Sequence, residues 1–373
     1  MKYQWFISPN TQFCELPEPI LLESGEMLGN VQVGYRTWGK LNAARDNAVV
    51  ICHALTGWAD ADEWWEPLFG PGRAFDPEQD FIICSNVLGS CYGTTGPTSV
   101  NPATGCPYGP DFPRITIRDM VRVQAALLEV LGVEQIKLVV GGSLGGMQVL
   151  EWAILYADKV EAIASIAASG RHSAWCIGLS EAQRQAIYAD PNWRGGLYTI
   201  DEPPAAGLAA ARMMAMCTYR AWGSFEQRFS RTVQEDGRLA IASYLQHQGD
   251  KLVKRFDANT YITLTQAMDT HDLSRGLEDY YKVLARISQP ASIVAIDSDL
   301  LYPPTEQQEL ATYMPNAQLS WLHSPHGHDA FLIDMEELNA ILVNFRHEQL
   351  KRHRSNSRVN GLAPVVRRSP FLF

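Results

Sequence analysis

The sequence predicts an α/β fold, a mostly parallel sheet covered by helices on both faces. Three observations carry that expectation. Short fully apolar, β-branched runs alternate with helical stretches, as in Ala48-Val-Val-Ile-Cys52, Phe81-Ile-Ile-Cys84, Ile136-Lys-Leu-Val-Val140 and Ala291-Ser-Ile-Val-Ala-Ile296. Each run ends in a polar or glycine-rich loop, the place where such sheets bind ligands. One of those loops, Gly141-Gly-Ser-Leu-Gly-Gly146, is a G-x-S-x-G turn between a strand and a helix.

The elements follow in order. Runs around 19–23 and 31–35 alternate apolar and polar residues about a glycine turn, which predicts an antiparallel hairpin at a sheet edge. Strand 48–52 ends in the loop His53-Ala-Leu-Thr-Gly57, and strand 81–84 in Ser85-Asn-Val-Leu-Gly89. Residues 115–131 carry Met120, Val123, Leu127 and Val130 on one stripe and read as a crossover helix. The elbow strand 136–140 follows, then helix 147–155 and strand 160–166. Strand signals then vanish from about 171 to 284, where stretches such as 205–219 and 224–244 read as helices. The α/β rhythm resumes with strand 291–296, a helix near 305–314, strand 318–322 and a last helix from 330 to 347. The division expected is a discontinuous core of 1–170 and 285–350, a helical lid of 171–284, and a disordered basic tail of 351–373.

Composition limits the function classes. A hydrophobic content of 46% is ample for a core, and no apolar run reaches membrane-spanning length. The net charge of −10, without a basic face, argues against nucleic acid as a partner. Seven scattered cysteines without CxxC pairs suit a reduced, cytoplasmic protein with neither disulfide scaffold nor zinc site. The start of the chain lacks signal-peptide character, which supports the same location.

Chemistry centres on Ser143. At a sharp turn flanked by glycines its hydroxyl projects above the sheet at a helix N-terminus, where the following amide can stabilise an oxyanion. A serine nucleophile needs a base and an acid to orient it, in the chain order Ser, Asp or Glu, His. Asp297 and Asp299 follow strand 291–296, and His326 and His328 follow strand 318–322. Order alone leaves the member of each pair open. His323, His326 and His328 could instead form a metal cluster, but no carboxylate–histidine motif of metalloenzyme spacing accompanies them, so no metal is expected.

Further stretches carry a family resemblance: Cys52-His-Ala-Leu-Thr-Gly57, Asn101-Pro102 with Pro107-Tyr-Gly109, Phe112-Pro-Arg-Ile-Thr-Ile-Arg-Asp119, Gly141-Gly-Ser-Leu-Gly-Gly-Met-Gln148, Ala211-Arg212, Arg255-Phe-Asp-Ala-Asn259, Ser298-Asp-Leu-Leu-Tyr-Pro-Pro304 and Gly327-His-Asp-Ala-Phe331. To about residue 350 the chain resembles the homoserine O-acyltransferases, α/β-hydrolase enzymes of methionine biosynthesis. The resemblance implies Ser143 as nucleophile, Asp299 as acid, His328 as base, and Arg212 and Asp329 as substrate-binding residues. It also implies a homodimer built through the helical insertion. The usual elbow has Met where this one has Leu144, a swap that conserves volume. The reading that results is transfer of an acetyl group from acetyl-CoA to L-homoserine through a Ser143 acyl-enzyme, without a cofactor. The amides of Leu144 and Leu55 form the oxyanion hole in that reading. A succinyl donor, a serine acceptor, a plain esterase, and a non-catalytic binding protein of the same fold are the alternatives.

Overall fold

Ala48-Val-Val-Ile-Cys52 is buried along its whole length, and so is Ala291-Ser-Ile-Val-Ala-Ile296. A strand buried on both faces needs helices on both sides, and the computed structural model, which describes residues 7–360, supplies them. The chain runs β1 (Gln12–Glu15), β2 (Ile20–Leu21), β3 (Met27–Leu28), β4 (Gln32–Trp38), β5 (Ala48–Cys52), α1 (Ala61–Trp64), β6 (Phe81–Ser85), α2 (Ile117–Val130), β7 (Ile136–Gly142), α3 (Leu144–Leu155) and β8 (Ile163–Ile166). Six helices follow: α4 (Ala174–Tyr188), α5 (Ala205–Tyr219), α6 (Trp222–Arg228), α7 (Ala240–Val253), α8 (Ala258–Asp269) and α9 (Tyr280–Arg286). The chain then returns to the sheet with β9 (Ala291–Ile296), α10 (Pro304–Tyr313), β10 (Ala317–Leu322) and α11 (Met335–Asn360).

Among the described residues the main sheet has eight strands in the order β1-β4-β6-β5-β7-β8-β9-β10. Pairing is antiparallel for β1 with β4 and for β4 with β6, and parallel from there on. On one face Val121, Trp152, Val283 and Leu310 pack against the sheet, from α2, α3, α9 and α10. On the other, Trp65, Phe75, Leu338, Leu342 and Phe345 do so. A third cluster, which includes Leu144, Leu208, Leu252 and Tyr261, ties α5, α7 and α8 to the carboxyl ends of the strands.

Expectations change at the hairpin, in the helical region and at the tail. The 19–23 run does not pair with 31–35. It forms a two-residue hairpin, β2 with β3, while β4 pairs with β1 and β6. The reason lies in Glu23, whose amide donates to Asp119 Oδ1 at 2.8 Å and whose carboxylate takes Arg118, Arg275 and Thr116. Those bonds draw the hairpin onto the start of α2. The helix expected over 224–244 is broken after α6. Val233 bridges Leu239 across a turn that Asp236 closes by accepting from the Arg238 amide.

Arg118 organises the back of the core. Its Nε donates to Glu151, Nη1 to Glu23 and the Arg275 carbonyl, and Nη2 to the carbonyls of Asp272 and Leu273. One buried guanidinium thereby joins the hairpin, α2, α3 and the segment leaving α8. Helix α11 continues to Asn360, into the stretch expected as a basic tail, and 361–373 lie outside the described residues. Among the described residues no helix is long and apolar enough to cross a membrane.

Candidate active site

Ser143 sits between β7 and α3 with φ 59° and ψ −124°, a conformation that costs free energy in a non-glycine residue. The strain is held from both sides: the Ser143 amide donates to Ile166 O, and its carbonyl accepts from the Met147 amide. Gly145 makes the turn possible, since a Cβ there would stand 2.1 Å from the Cys52 carbonyl oxygen. The Leu144 amide heads α3 with no hydrogen bond to the described residues, and neither does the Leu55 amide in the loop after β5 have one.

The members of each candidate pair have different surroundings. Asp299 accepts from the amides of Leu301 and Tyr302 at Oδ1, 2.8 and 3.0 Å, and from His328 Nδ1 at Oδ2, 2.7 Å. Both side chains are buried. A carboxylate only accepts, so Nδ1 carries the proton and Nε2 is free to take another. Nε2 is buried without a hydrogen-bond partner among the described residues, Ser143 included. Burial works against the charged imidazolium, but the Asp299 charge and hydrogen bond, with Asp329 adding to them, outweigh it and raise the His328 pKa above its ordinary value. Asp297 instead pairs with exposed His323 at 3.0 Å and accepts from the Ser324 amide. His326 faces Ser224 and Arg220 of the helical region, at 3.4 and 3.5 Å.

Neither Arg212 nor Asp329 makes an ion pair within 4.0 Å among the described residues, and the Arg212 charge works to lower the Asp329 pKa. Arg212 rests over the Tyr219 ring, whose centroid is 5.2 Å away, and the Tyr219 ring lies tilted against His328 with centroids 5.9 Å apart. Desolvation lifts the Asp329 pKa, against the pull of Arg212, His328 and Arg220. The helical region also presses on the loop before His328: a Cβ at Gly327 would stand 2.5 Å from the Ala221 amide nitrogen.

A family model described as alpha/beta hydrolase fold matches residues 47–334. A homoserine O-acetyltransferase of Nostoc punctiforme is 69% identical over 347 residues, 92% of this chain and 98% of the relative. The chain belongs to the homoserine O-acetyltransferase family. Among solved structures, the homoserine O-acetyltransferase from Bacillus anthracis matches with a TM-score of 0.84 at 27% identity, covering 90% of this chain and 97% of that one. Esterase E22 also matches at 0.84, with 30% identity over 90% of this chain and 99% of its own. One scaffold therefore carries acyltransferases and esterases, so the choice between them rests on the residues around the acyl group.

Sequence reasoning missed how this homoserine O-acetyltransferase family member holds its 53–57 loop. His53 Nδ1 donates to Ala54 O at 2.8 Å and Nε2 accepts from the Val87 amide at 3.0 Å. Burial drives its pKa down to about 4, so it stays neutral and bridges the ends of β5 and β6. Below it, Trp152 donates to Gln124 Oε1, Gln124 to Gln148, and Gln148 to the carbonyls of His53 and Leu144. Arg255 holds the loop from above through Thr56 O at 2.8 Å and Tyr92 Oη at 2.6 Å, over the Trp58 ring. The only hint in the sequence was that three of these, His53, Gln148 and Arg255, lie in stretches that carry the family resemblance.

Proposed function

We propose that the chain acetylates L-homoserine on its hydroxyl from acetyl-CoA, a step of methionine biosynthesis, with no cofactor. What supports acyl transfer is the pair Arg212, over the Tyr219 ring that lies against His328, and Asp329, the next residue after His328, each without an ion pair among the described residues. A zwitterionic amino acid fits between them, its carboxylate on the arginine fork and its ammonium on Asp329. His328 takes the Ser143 proton as the thioester carbonyl is attacked, and Asp299 holds the ring in the tautomer that can accept it. The oxyanion forms against the amides of Leu144 and Leu55. The C–S bond breaks, His328 protonates the thiolate, and CoA leaves. His328 then takes the homoserine hydroxyl proton as that oxygen attacks the acyl-enzyme, and returns a proton to Ser143 Oγ.

An acetyl donor suits the lining. Leu144, Met147, Gln148, Ala54, Leu55 and Thr56 flank the elbow, and a succinyl carboxylate buried there without a cation would cost several kcal/mol, roughly. Of the two arginines in α5–α6 that could meet such a carboxylate, Arg220 donates to Ser224 and faces His326 while its charge also acts on Asp329, and Arg228 lies over Phe229 and Tyr244. Exposed Leu197, Met214 and Trp222 on the helical region support a homodimer formed there. Free thiols at all seven cysteines suit a cytoplasmic setting.

Varying each substrate at several levels of the other should give parallel lines, and Ser143→Ala should form no acyl-enzyme. Intersecting lines, or a Ser143→Ala variant that turns over well, would replace the covalent route by direct transfer. Hydrolysis by the same acyl-enzyme is the second reading, favoured by the E22 match. Breakdown of the acyl-enzyme at the same rate with and without homoserine would establish it.

A further inference from the structure

The outer face of α8, the end of α4 and the 109–115 loop enclose a cavity of about 260 Å³, apart from the acyl-transfer centre. Phe112, Tyr188 and Trp193 wall it, and Arg114, Asn259 and Gln266 supply its polar groups. Tyr188 and Trp193 form a tilted pair with centroids 5.4 Å apart. Arg114 is exposed and makes no hydrogen bond or ion pair among the described residues, while its charge reaches the Tyr188 phenol. Four residues on, Arg118 has five acceptors. Among the described residues no acidic side chain lines the cavity.

Three of the stretches that carry the family resemblance meet here, through Gly109, through Phe112 and Arg114, and through Asn259. None of the three holds Ser143, Asp299 or His328. Asn259 is also well tied: its amide donates to Tyr198 Oη at 2.8 Å and its Nδ2 to Gly196 O at 2.9 Å. Asn259 lies four residues past Arg255, which grips the 53–57 loop.

We propose that this cavity binds a small monocarboxylate with an aromatic or bulky apolar body. The ring walls bury the body, and the Arg114 fork meets the carboxylate at the mouth. The volume lies just below the roughly 300–1,000 Å³ of ordinary ligand pockets, so a whole coenzyme A is too large.

Calorimetric titration of the full chain tests this with indole-3-acetate, and with indole-3-acetamide as its neutral counterpart. The acid should bind about tenfold more tightly than the amide, a factor that one charge-assisted fork supplies. Arg114→Gln should weaken the acid by about the same factor while leaving acetyl transfer to homoserine unchanged. Arg212→Gln should leave indole-3-acetate binding as it is. No binding up to about 10 mM, far weaker than a charge-paired buried ligand requires, overturns the proposal. So does equal affinity in the chain and in Arg114→Gln, and so does loss of binding in Arg212→Gln, which would place the ligand in the acyl-transfer centre.

Discussion

Asp299→Asn keeps the volume of the side chain and reverses one hydrogen bond. Two backbone amides, from Leu301 and Tyr302, converge on Oδ1. An asparagine must place its carbonyl oxygen there, which turns its NH2 toward His328 Nδ1. An NH2 only donates, so Nδ1 becomes the acceptor and the ring proton moves to Nε2, the atom proposed to take the Ser143 proton. The opposite rotamer would set the NH2 against two buried N–H groups, each costing about 1–3 kcal/mol. Together that is about 2–6 kcal/mol, so the productive tautomer falls by a factor of roughly 30 to 10⁴. Stopped-flow acylation by p-nitrophenyl acetate reads this factor directly. The pH profile supplies a second signature. The Asp299 carboxylate raises the His328 pKa, so its removal lowers it, and the acidic limb of acylation should move to lower pH. An acylation rate within tenfold of the parent, or an acidic limb that stays put, would refute the assignment of Asp299.

Other outcomes follow from single contacts. Arg212→Lys loses the planar fork and should raise the KM for homoserine about tenfold with ester hydrolysis unchanged; equal losses in both would make Arg212 structural. Arg118→Met strands Glu151, whose pKa burial already lifts to about 7, and should cost about 3–5 kcal/mol in urea unfolding. A loss below about 1 kcal/mol would mean that water reaches the site. Gly145→Ala should yield no folded protein, because its methyl meets the Cys52 carbonyl, whereas Gly178→Ala in α4, with nothing within 4 Å, should gain about 0.5–1 kcal/mol. Similar melting temperatures for the two variants would contradict the elbow packing.

What was legible in the sequence was what local chemistry dictates. Apolar β-branched runs gave the central parallel strands, and helix α5 lies where its residues predicted, at Ala205–Tyr219. The elbow was legible because a strand, a glycine-flanked serine and a helix are adjacent in the chain. The acid and base proposed for Ser143 were less so. Asp297 and Asp299 are two residues apart, and only the fold shows that one faces His323 and the other His328. The hairpin error has the same origin, since Glu23 is drawn to Arg275 across more than half of the chain. His53 escaped notice because its task, bridging Ala54 O and the Val87 amide, exists only once β5 and β6 lie side by side.

The strand order has a consequence during synthesis. β8 needs β9 along its far edge, and β9 leaves the ribosome about 125 residues later, after all of α4–α9. At roughly 5–20 residues per second the nascent chain presents Ile163–Ile166 as an open apolar edge for about 6–25 s. An unpaired edge of that kind recruits other chains. Yield in a cell should therefore respond to holdase chaperones more than the stability of the finished fold would suggest, and slowing translation across the helical segment should lower it further.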